Sequence, residues 1–496
     1  MTPDPYDVLI VGSGAGGAAA AYRLVRAGLR VLVLEKGADL PRDGSTLDVE
    51  RVVRRGEFLS REAWLDGDGR SFAPEEHFNI GGKTKWYGAA LFRFSPREFE
   101  SEPAHQCLGW PIGHRDLEPY YAEVEKVLGV RAIEVEPDLK RIISRLTGPR
   151  RNWTAMAMPM GLSPTIAAHE HEAAHFDGFA SNLDLKGEAQ HSLLVPLAGH
   201  PGFTLLANCE VVSLIGASGR AERVVGVRLA DGREFTAARV ILAAGALHSP
   251  RLLQRYLHAT GLAKHLVAAA SVGRNLKLHL LTAMVSVSVS RKRDLIRKTT
   301  VFLNERFPHS SVQPLGFDAQ VIASLIPPLV PKWLARAVGA RSYGFFLQTE
   351  DGSSPDNRVA DAEANDTTLP LMDHRDSRVA QASHEHRALT RAFQLALARA
   401  GFASFTKRIG LAGTAHACGT LVCGDDPARS VVDAKGRVHG MRGLYVVDAS
   451  ILPRSSRVNP SLTIYAWALR TADLLLRELD FEQSVDRDTA EPTRVG

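Results

Sequence analysis

The chain has 496 residues, 45% of them apolar and 23% charged, the balance of a soluble globular protein. This is length enough for roughly two to four folding units and for a core that needs neither disulfides nor a structural metal. Sixty basic against 55 acidic residues leave a net charge of +5, and no basic block is interleaved with aromatics. The cluster from Arg291 to Lys298 therefore reads as a solvated face, and no nucleic-acid partner is expected. The longest stretch without Asp, Glu, Lys or Arg, Ala189 to Cys209, is broken by Pro196 and Pro201, which argues against a membrane-spanning helix. Four scattered cysteines, Cys107, Cys209, Cys418 and Cys423, form no Cys-x-x-Cys pair, so no metal site is expected. With no secretory leader pattern before Tyr6, a cytoplasmic location is expected.

Val8 to Val11 is a continuous apolar run, which predicts a parallel strand buried on both faces. A glycine-rich turn and an alanine-rich helix follow, reaching about Ala27, with Gly28 placed to end it. Val31 to Leu34 predicts a second buried strand ending at Glu35. Gly12, Gly14 and Gly17 complete a Gly-x-Gly-x-x-Gly fingerprint for a dinucleotide: a tight turn, an open approach for a pyrophosphate, and close helix–strand packing. Free N–H groups at the helix start suit the phosphates. A carboxylate at Glu35 suits the ribose hydroxyls and repels a 2′-phosphate, which disfavours NADP. The binding candidates on this unit are Gly12, Ser13, Gly14, Ala15, Gly16, Gly17, Glu35 and Lys36. The fingerprint alone does not separate FAD from NAD.

Further along, Gly81-Gly82-Lys83-Thr84-Lys85-Trp86-Tyr87-Gly88-Ala89-Ala90 is followed by Trp110-Pro111-Ile112 and Tyr120-Tyr121. Val224 to Leu229 with an Asp231-Gly232 turn predicts a hairpin arm ahead of a strand at Val240 to Ala243. Ala244-Gly245-Ala246-Leu247-His248-Ser249-Pro250 and Val272-Gly273-Arg274-Asn275-Leu276 come next. The last motifs are His416-Ala417-Cys418-Gly419-Thr420, Ser430 to Asp433, Leu444 to Ser450, and Asn459-Pro460-Ser461-Leu462-Thr463. Asn459 and Pro460 read as the N-cap and first position of a helix through Ile464 to Leu475, and the polar chain from Glu482 reads as a frayed tail.

Taken in order, these motifs resemble the glucose–methanol–choline (GMC) family of FAD-dependent oxidoreductases. The resemblance implies an α/β fold: a Rossmann-like FAD-binding part from residues 1–150, 200–280 and 415–480, interleaved with a substrate-binding part on an antiparallel sheet from 151–199 and 281–414. It implies oxidation of a CH–OH group to a carbonyl, with hydride transfer to flavin N5, His416 as base and Asn459 as its partner. A neutral imidazole suits that role, which contributes ~10²–10⁴-fold. By the same resemblance Gly82, Thr84, Tyr87, Gly88, Val211, Ala244, Gly245, Asp448, Ala449, Asn459, Pro460 and Ser461 touch FAD. Residues 83–88 contain no histidine for a covalent link, so noncovalent FAD is expected. The Gly-Gly-x-Thr segment and the His/Asn pairing look like those of pyranose and glycoside oxidases, which implies a sugar, glycoside or sugar-containing natural product as substrate. Tyr343, Phe346 and Gln348 are candidate substrate contacts. A non-sugar alcohol, or a lyase on the same scaffold, stays open at this point, as do oxygen or a quinone as electron acceptor and the oligomeric state. The apolar, proline-rich stretch Leu325 to Leu334 reads as a lid or an oligomer contact.

Overall fold

The computed structural model describes residues 6–148 and 152–490, those from 483 onward by their backbone alone. Chain order begins β1 (Val8–Val11), α1 (Ala15–Arg26), β2 (Val31–Leu34), α2 (His114–Val127), β3 (Trp153–Ala157) and β4 (Phe203–Leu206). A meander β5 (Val211–Ala217), β6 (Arg220–Leu229) and β7 (Glu234–Thr236) leads into β8 (Arg239–Leu242) and α3 (Gly245–Ala259). Then come β9 (Leu280–Val287), β10 (Thr300–Asn304), β11 (Ser310–Pro314), β12 (Ser342–Thr349), α4 (Ala380–Arg399), β13 (Ala403–Arg408), β14 (Leu444–Val446) and α5 (Ser461–Ala490).

Five strands make a parallel sheet in the order β14-β8-β1-β2-β4. Every residue of β1 and β2 is buried, because α1 and α5 lie in the same core as the sheet. The alanines of α1 let it come close. A Cβ on Gly17 would stand 2.0 Å from the Gly12 carbonyl oxygen, so only glycine permits that contact. At its other end, Gly28 takes φ +93° and donates to Val25 O at 2.9 Å, while Leu29 donates to Leu24 O at 3.1 Å. These are the two bonds of a Schellman stop, and they return the chain to the sheet.

The second layer is an antiparallel sheet in the order β13-β9-β12-β11-β10-β3. Leu389, Phe393 and Leu397 of α4 pack with Phe302, Val312, Tyr343, Phe345 and Leu347 in a separate core. In β11 and β12, Gln313 stands opposite Phe346 in register. Strand alternation sends these two to the face away from Tyr343 and Phe345. The hairpin expected around Asp231-Gly232 is present as β6 and β7, in antiparallel register from Gly226–Thr236 to Arg228–Glu234.

One expectation changes at the surface. The final helix continues from Ser461 to Ala490, past Glu482 where the polar composition suggests fraying; residues 491–496 lie outside the described residues. The stretch Leu325 to Leu334 leaves one short helix (Ala319–Ser324) and enters the first turn of another (Lys332–Gly339), with Leu329 and Trp333 exposed to solvent. No helix among the described residues is long and apolar enough to cross a membrane.

Candidate active site

A cavity of about 580 Å³ is lined by Glu35 from the end of β2, by the glycine turn after β1, and by His416 and Asn459. At the turn, a Cβ on Gly14 would meet nothing within 4 Å, so the backbone stands open to a ligand. Glu35 is buried and ends β2; its carboxylate accepts from Ser13 N (3.0 Å), Ser13 Oγ (2.6 Å) and Gly37 N (2.9 Å). Burial pushes its pKa up, and those bonds hold it back. Asp448 follows β14 and accepts from Gly245 N at 2.9 Å, which joins the C-terminal strand to the start of α3.

At the other end, His416 sits on the connection from β13 to β14, which is fastened on both sides. Before it, Lys83 Nζ donates to Thr414 O (2.8 Å) and Glu76 Oε1 (2.5 Å), and Thr414 Oγ1 donates to Glu75 O (2.8 Å). After it, Cys418 and Lys277 exchange backbone hydrogen bonds of 2.9 Å. His416 Nδ1 lies 2.8 Å from His279 Nδ1, and His416 Nε2 lies 3.4 Å from Asn459 Nδ2. Gln313 Nε2 donates to Asn459 Oδ1 at 2.7 Å and so turns the amide N–H₂ of Asn459 toward the imidazole. Burial pushes His416 well below its ordinary pKa, and His279 and the ammonium groups of Lys298 and Lys83 push it further. Each of these favours the neutral imidazole.

Both lysines are matched by carboxylates. Lys298 Nζ donates to Asp177 Oδ1 at 2.9 Å, and a Cβ on Gly88 would stand 2.1 Å from that oxygen, so the bare glycine leaves room for the pair. Glu75 also lines the cavity, and its carboxylate makes no hydrogen bond or ion pair among the described residues.

Residues 355–468 match the family model described as GMC oxidoreductase, and residues 7–290 match the one described as FAD dependent oxidoreductase. The chain is 31% identical to 6'''-hydroxyparomomycin C oxidase of Streptomyces lividus, over 96% of this chain and 92% of that one. It is 30% identical to paromamine 6'-oxidase of Streptomyces fradiae, over 98% and 93%. The chain belongs to the GMC oxidoreductase family. Among solved structures, a pyridoxine 4-oxidase superposes with a TM-score of 0.69 at 19% identity, covering 95% of this chain and 99% of the other, which is a likeness of fold.

As a GMC enzyme the chain is an FAD-dependent oxidoreductase acting on CH–OH donors, and its cavity fits that cofactor. The open backbone at Gly14, the buried carboxylate at Glu35 and a lining that also includes His416 suit a pyrophosphate, a ribose and a flavin ring. Gly12, Ser13, Gly14, Ala15, Gly16, Glu35, Lys36, Gly82, Thr84, Tyr87, Gly88, Val211, Ala244, Gly245, Asp448, Ala449, Asn459, Pro460 and Ser461 all line the cavity. Gly17 does not, because it faces the Gly12 carbonyl inside the fold.

Of the three substrate candidates, only Phe346 lines the cavity. Tyr343 points to the α4 side of β12, fully buried, its hydroxyl on Asp294 Oδ2 at 3.2 Å. Gln348 is buried too, and its Nε2 donates to Arg457 O at 2.7 Å. Asn459 is not a helix cap: Ile464 N bonds Pro460 O, the helix starts at Ser461, and the Asn459 side chain is spent on Gln313 and His416. Sequence reasoning missed Gln313, His279 and the lysine pairs, and the cluster Arg291 to Lys298 is not a solvated face throughout: Arg297 and Lys298 are buried, Lys298 against Asp177 in the cavity wall. His279 stands three residues beyond the recognised Asn275-Leu276 motif, the one local signal for it. Gln313 has none, since it enters only through strand pairing.

Among the described residues, His105, His309 and Glu385 bring one ligand atom each within 4.8 Å of one another. The two imidazoles are stacked at 3.7 Å and 10°, so their in-plane lone pairs run parallel and do not converge on one ion. His309 instead reaches Glu102 and Glu385, each at 3.0 Å; burial opposes its charge, but the two carboxylates outweigh it and raise its pKa.

Proposed function

We propose that this enzyme oxidises a hydroxyl of an aminated sugar, of the kind found in aminoglycosides, to the carbonyl. The observation that carries the chemistry is a neutral His416 in the cavity wall with Asn459 at its Nε2. His416 takes the hydroxyl proton at Nε2. The Asn459 amide, oriented by Gln313, donates to the alcohol oxygen and holds it against the base. The 3.4 Å separation between Asn459 and His416 is long for a hydrogen bond, so an incoming hydroxyl displaces little. FAD, when bound, supplies the acceptor for the hydride that leaves the carbon.

For the substrate, the names of the two Streptomyces relatives point to amino sugars, and the charge of the site supports this. Glu76 and Asp177 are each bonded to a lysine, whereas Glu75 feels the charges of Lys83 and Lys407 without bonding either, which leaves its carboxylate oxygens to bond a cationic amine. Four buried, free cysteines support a reducing, cytoplasmic setting.

The test is anaerobic mixing of the FAD-loaded protein with paromamine, with unaminated glycosides and with simple alcohols, following flavin bleaching. Paromamine is expected to bleach fastest. His416→Ala is expected to keep FAD and slow bleaching by ~10²–10⁴-fold. Undiminished bleaching in that variant overturns the base assignment, and equal rates for aminated and unaminated sugars overturn the substrate class.

A further inference from the structure

Resting on His416 as the base, we propose that His279 is the positioning residue that decides which nitrogen of His416 carries its proton, leaving Nε2 bare toward the cavity. A backbone carbonyl can only accept a hydrogen bond. His279 Nε2 lies 2.6 Å from Ser456 O, so that nitrogen must carry a proton. The two ring nitrogens face a carbonyl and an imidazole and bond no carboxylate, so a second proton would bury an unpaired cation; the ring therefore holds a single proton and its Nδ1 is a bare acceptor, in line with the downward push of burial on its pKa. The partner of that lone pair is His416 Nδ1 at 2.8 Å, which therefore carries the His416 proton. The chain of donors ends with His416 Nε2 unprotonated. The opposite side is compatible: Gln313 fixes the Asn459 amide with Nδ2 facing Nε2 at 3.4 Å, a long contact in which a bare Nε2 avoids setting two N–H groups against each other.

The backbone is bent to make this relay. His279 and Ser456 both hold left-handed conformations, φ +61° and +69°, which cost non-glycine residues free energy and persist only where the surroundings enforce them. Ser456 is held by two buried carboxylates: Glu98 Oε1 accepts from its hydroxyl, and Glu350 Oε1 accepts from its N–H at 3.2 Å. With both its N–H and its hydroxyl tied down, the Ser456 carbonyl is directed at His279. Neither imidazole ring is coplanar with the other; they meet at 86°, the arrangement of an in-plane N–H pointing at a neighbour's lone pair and not of stacking.

The experiment reads the tautomer directly. The holoenzyme labelled with ¹⁵N-histidine, with resonances assigned through His416→Gln and His279→Asn, is expected to show His416 protonated at Nδ1 and bare at Nε2. The reverse pattern overturns the proposal. His279→Leu removes the acceptor and is expected to slow anaerobic flavin reduction at least about tenfold, within the ~10⁴-fold span seen when the tautomer-setting group of a hydrolytic triad is replaced. His279→Asn offers an amide oxygen near the Nδ1 position, tolerates the left-handed backbone, and is expected to recover most of the rate. If His279→Leu does not fold, the wild-type spectrum and the Asn variant decide the matter alone. A His279→Leu enzyme that reduces at the wild-type rate, or one that is slow with an unchanged His416 spectrum and no recovery in Asn, overturns the relay. His416→Ala separates the two ideas: full activity there removes the base itself, whereas loss of activity there with a normal His279→Leu removes only the relay.

Discussion

Replacing Arg454 by methionine tests the buried charges beneath Ser456. Arg454 and Glu350 are each about 1% exposed, and the guanidinium forks onto the carboxylate with Nε–Oε1 at 2.8 Å and Nη2–Oε2 at 2.6 Å. Burial pushes the Glu350 carboxyl up, but the fork and charge of Arg454 outweigh it and hold the pKa below its ordinary value. Methionine keeps the stem and removes the cation. The stranded carboxylate then costs about 3–5 kcal/mol at neutral pH. With an unfolding entropy of ~2.1 cal/mol/K per residue, a 496-residue chain that melts cooperatively loses ~1 °C per kcal/mol, so the midpoint falls by about 3–5 °C. The sign with pH follows from the shifts. In the wild type, a depressed Glu350 contributes stability in full above the ordinary carboxylate range, and that contribution is lost as pH falls through its lowered value. In Arg454→Met the unpaired carboxyl titrates upward, so acid neutralises it and the gap to wild type narrows. Thermal unfolding of the FAD-loaded proteins at pH 7.5 and 5 measures both effects. Adding Glu350→Gln to the variant is expected to recover about half the loss or more, since a neutral amide is far cheaper to bury. An equal loss at both pH values, with no recovery in the double variant, would refute this account of the pair.

The depressed pKa of His416 predicts that anaerobic flavin reduction stays on its plateau as pH falls through 6.5 and declines only below; a limb at 6.5 or above contradicts it. Gly17→Ala forces a Cβ to 2.0 Å from a carbonyl, so the apoprotein is expected to lose ~1–3 kcal/mol or more and its FAD, as read by unfolding and by flavin absorbance. Gly14→Ala meets no atom of the protein and is expected to leave apoprotein stability within ~1 kcal/mol while weakening FAD binding at least tenfold by titration. Glu75→Gln is expected to raise KM for an aminated sugar about two- to fivefold, the scale of an exposed ion pair, and leave an unaminated glycoside unaffected; equal change for both removes the carboxylate from amine recognition.

The parts of this molecule legible in the sequence are those whose signal is local. The glycine spacing after Val11, the Schellman glycine at Gly28 and the apolar runs of β1, β2 and β8 each report on a few neighbouring residues, and each occurs in the fold. The motifs that carry His416 and Asn459 are contiguous and so stand out in the sequence, although Asn459 is also a good helix cap by composition and only the tertiary contact with Gln313 shows where its side chain goes. Tyr343 and Gln348 illustrate what local signals leave out. Both lie on the strand that carries Phe346, but alternation turns Tyr343 into the α4 core, and a carbonyl 109 residues away occupies Gln348. His279 and Gln313 meet His416 and Asn459 across separations of 137 and 146 residues, beyond the reach of any periodicity.

The order of the parallel sheet also bears on biosynthesis. Its central strand β1 emerges first, but β8 pairs with it only some 230 residues later, and β14 closes the edge after about 200 more. Asp448, which links that last strand to α3, and Asn459 just beyond it therefore lie more than 430 residues along the chain from the glycine turn. A nascent chain still short of residue 460 carries the glycine turn but lacks the wall that completes the cofactor cleft. Closure of the sheet edge by β14 and completion of the cleft thus draw on the same late segment, so the two are expected to occur together.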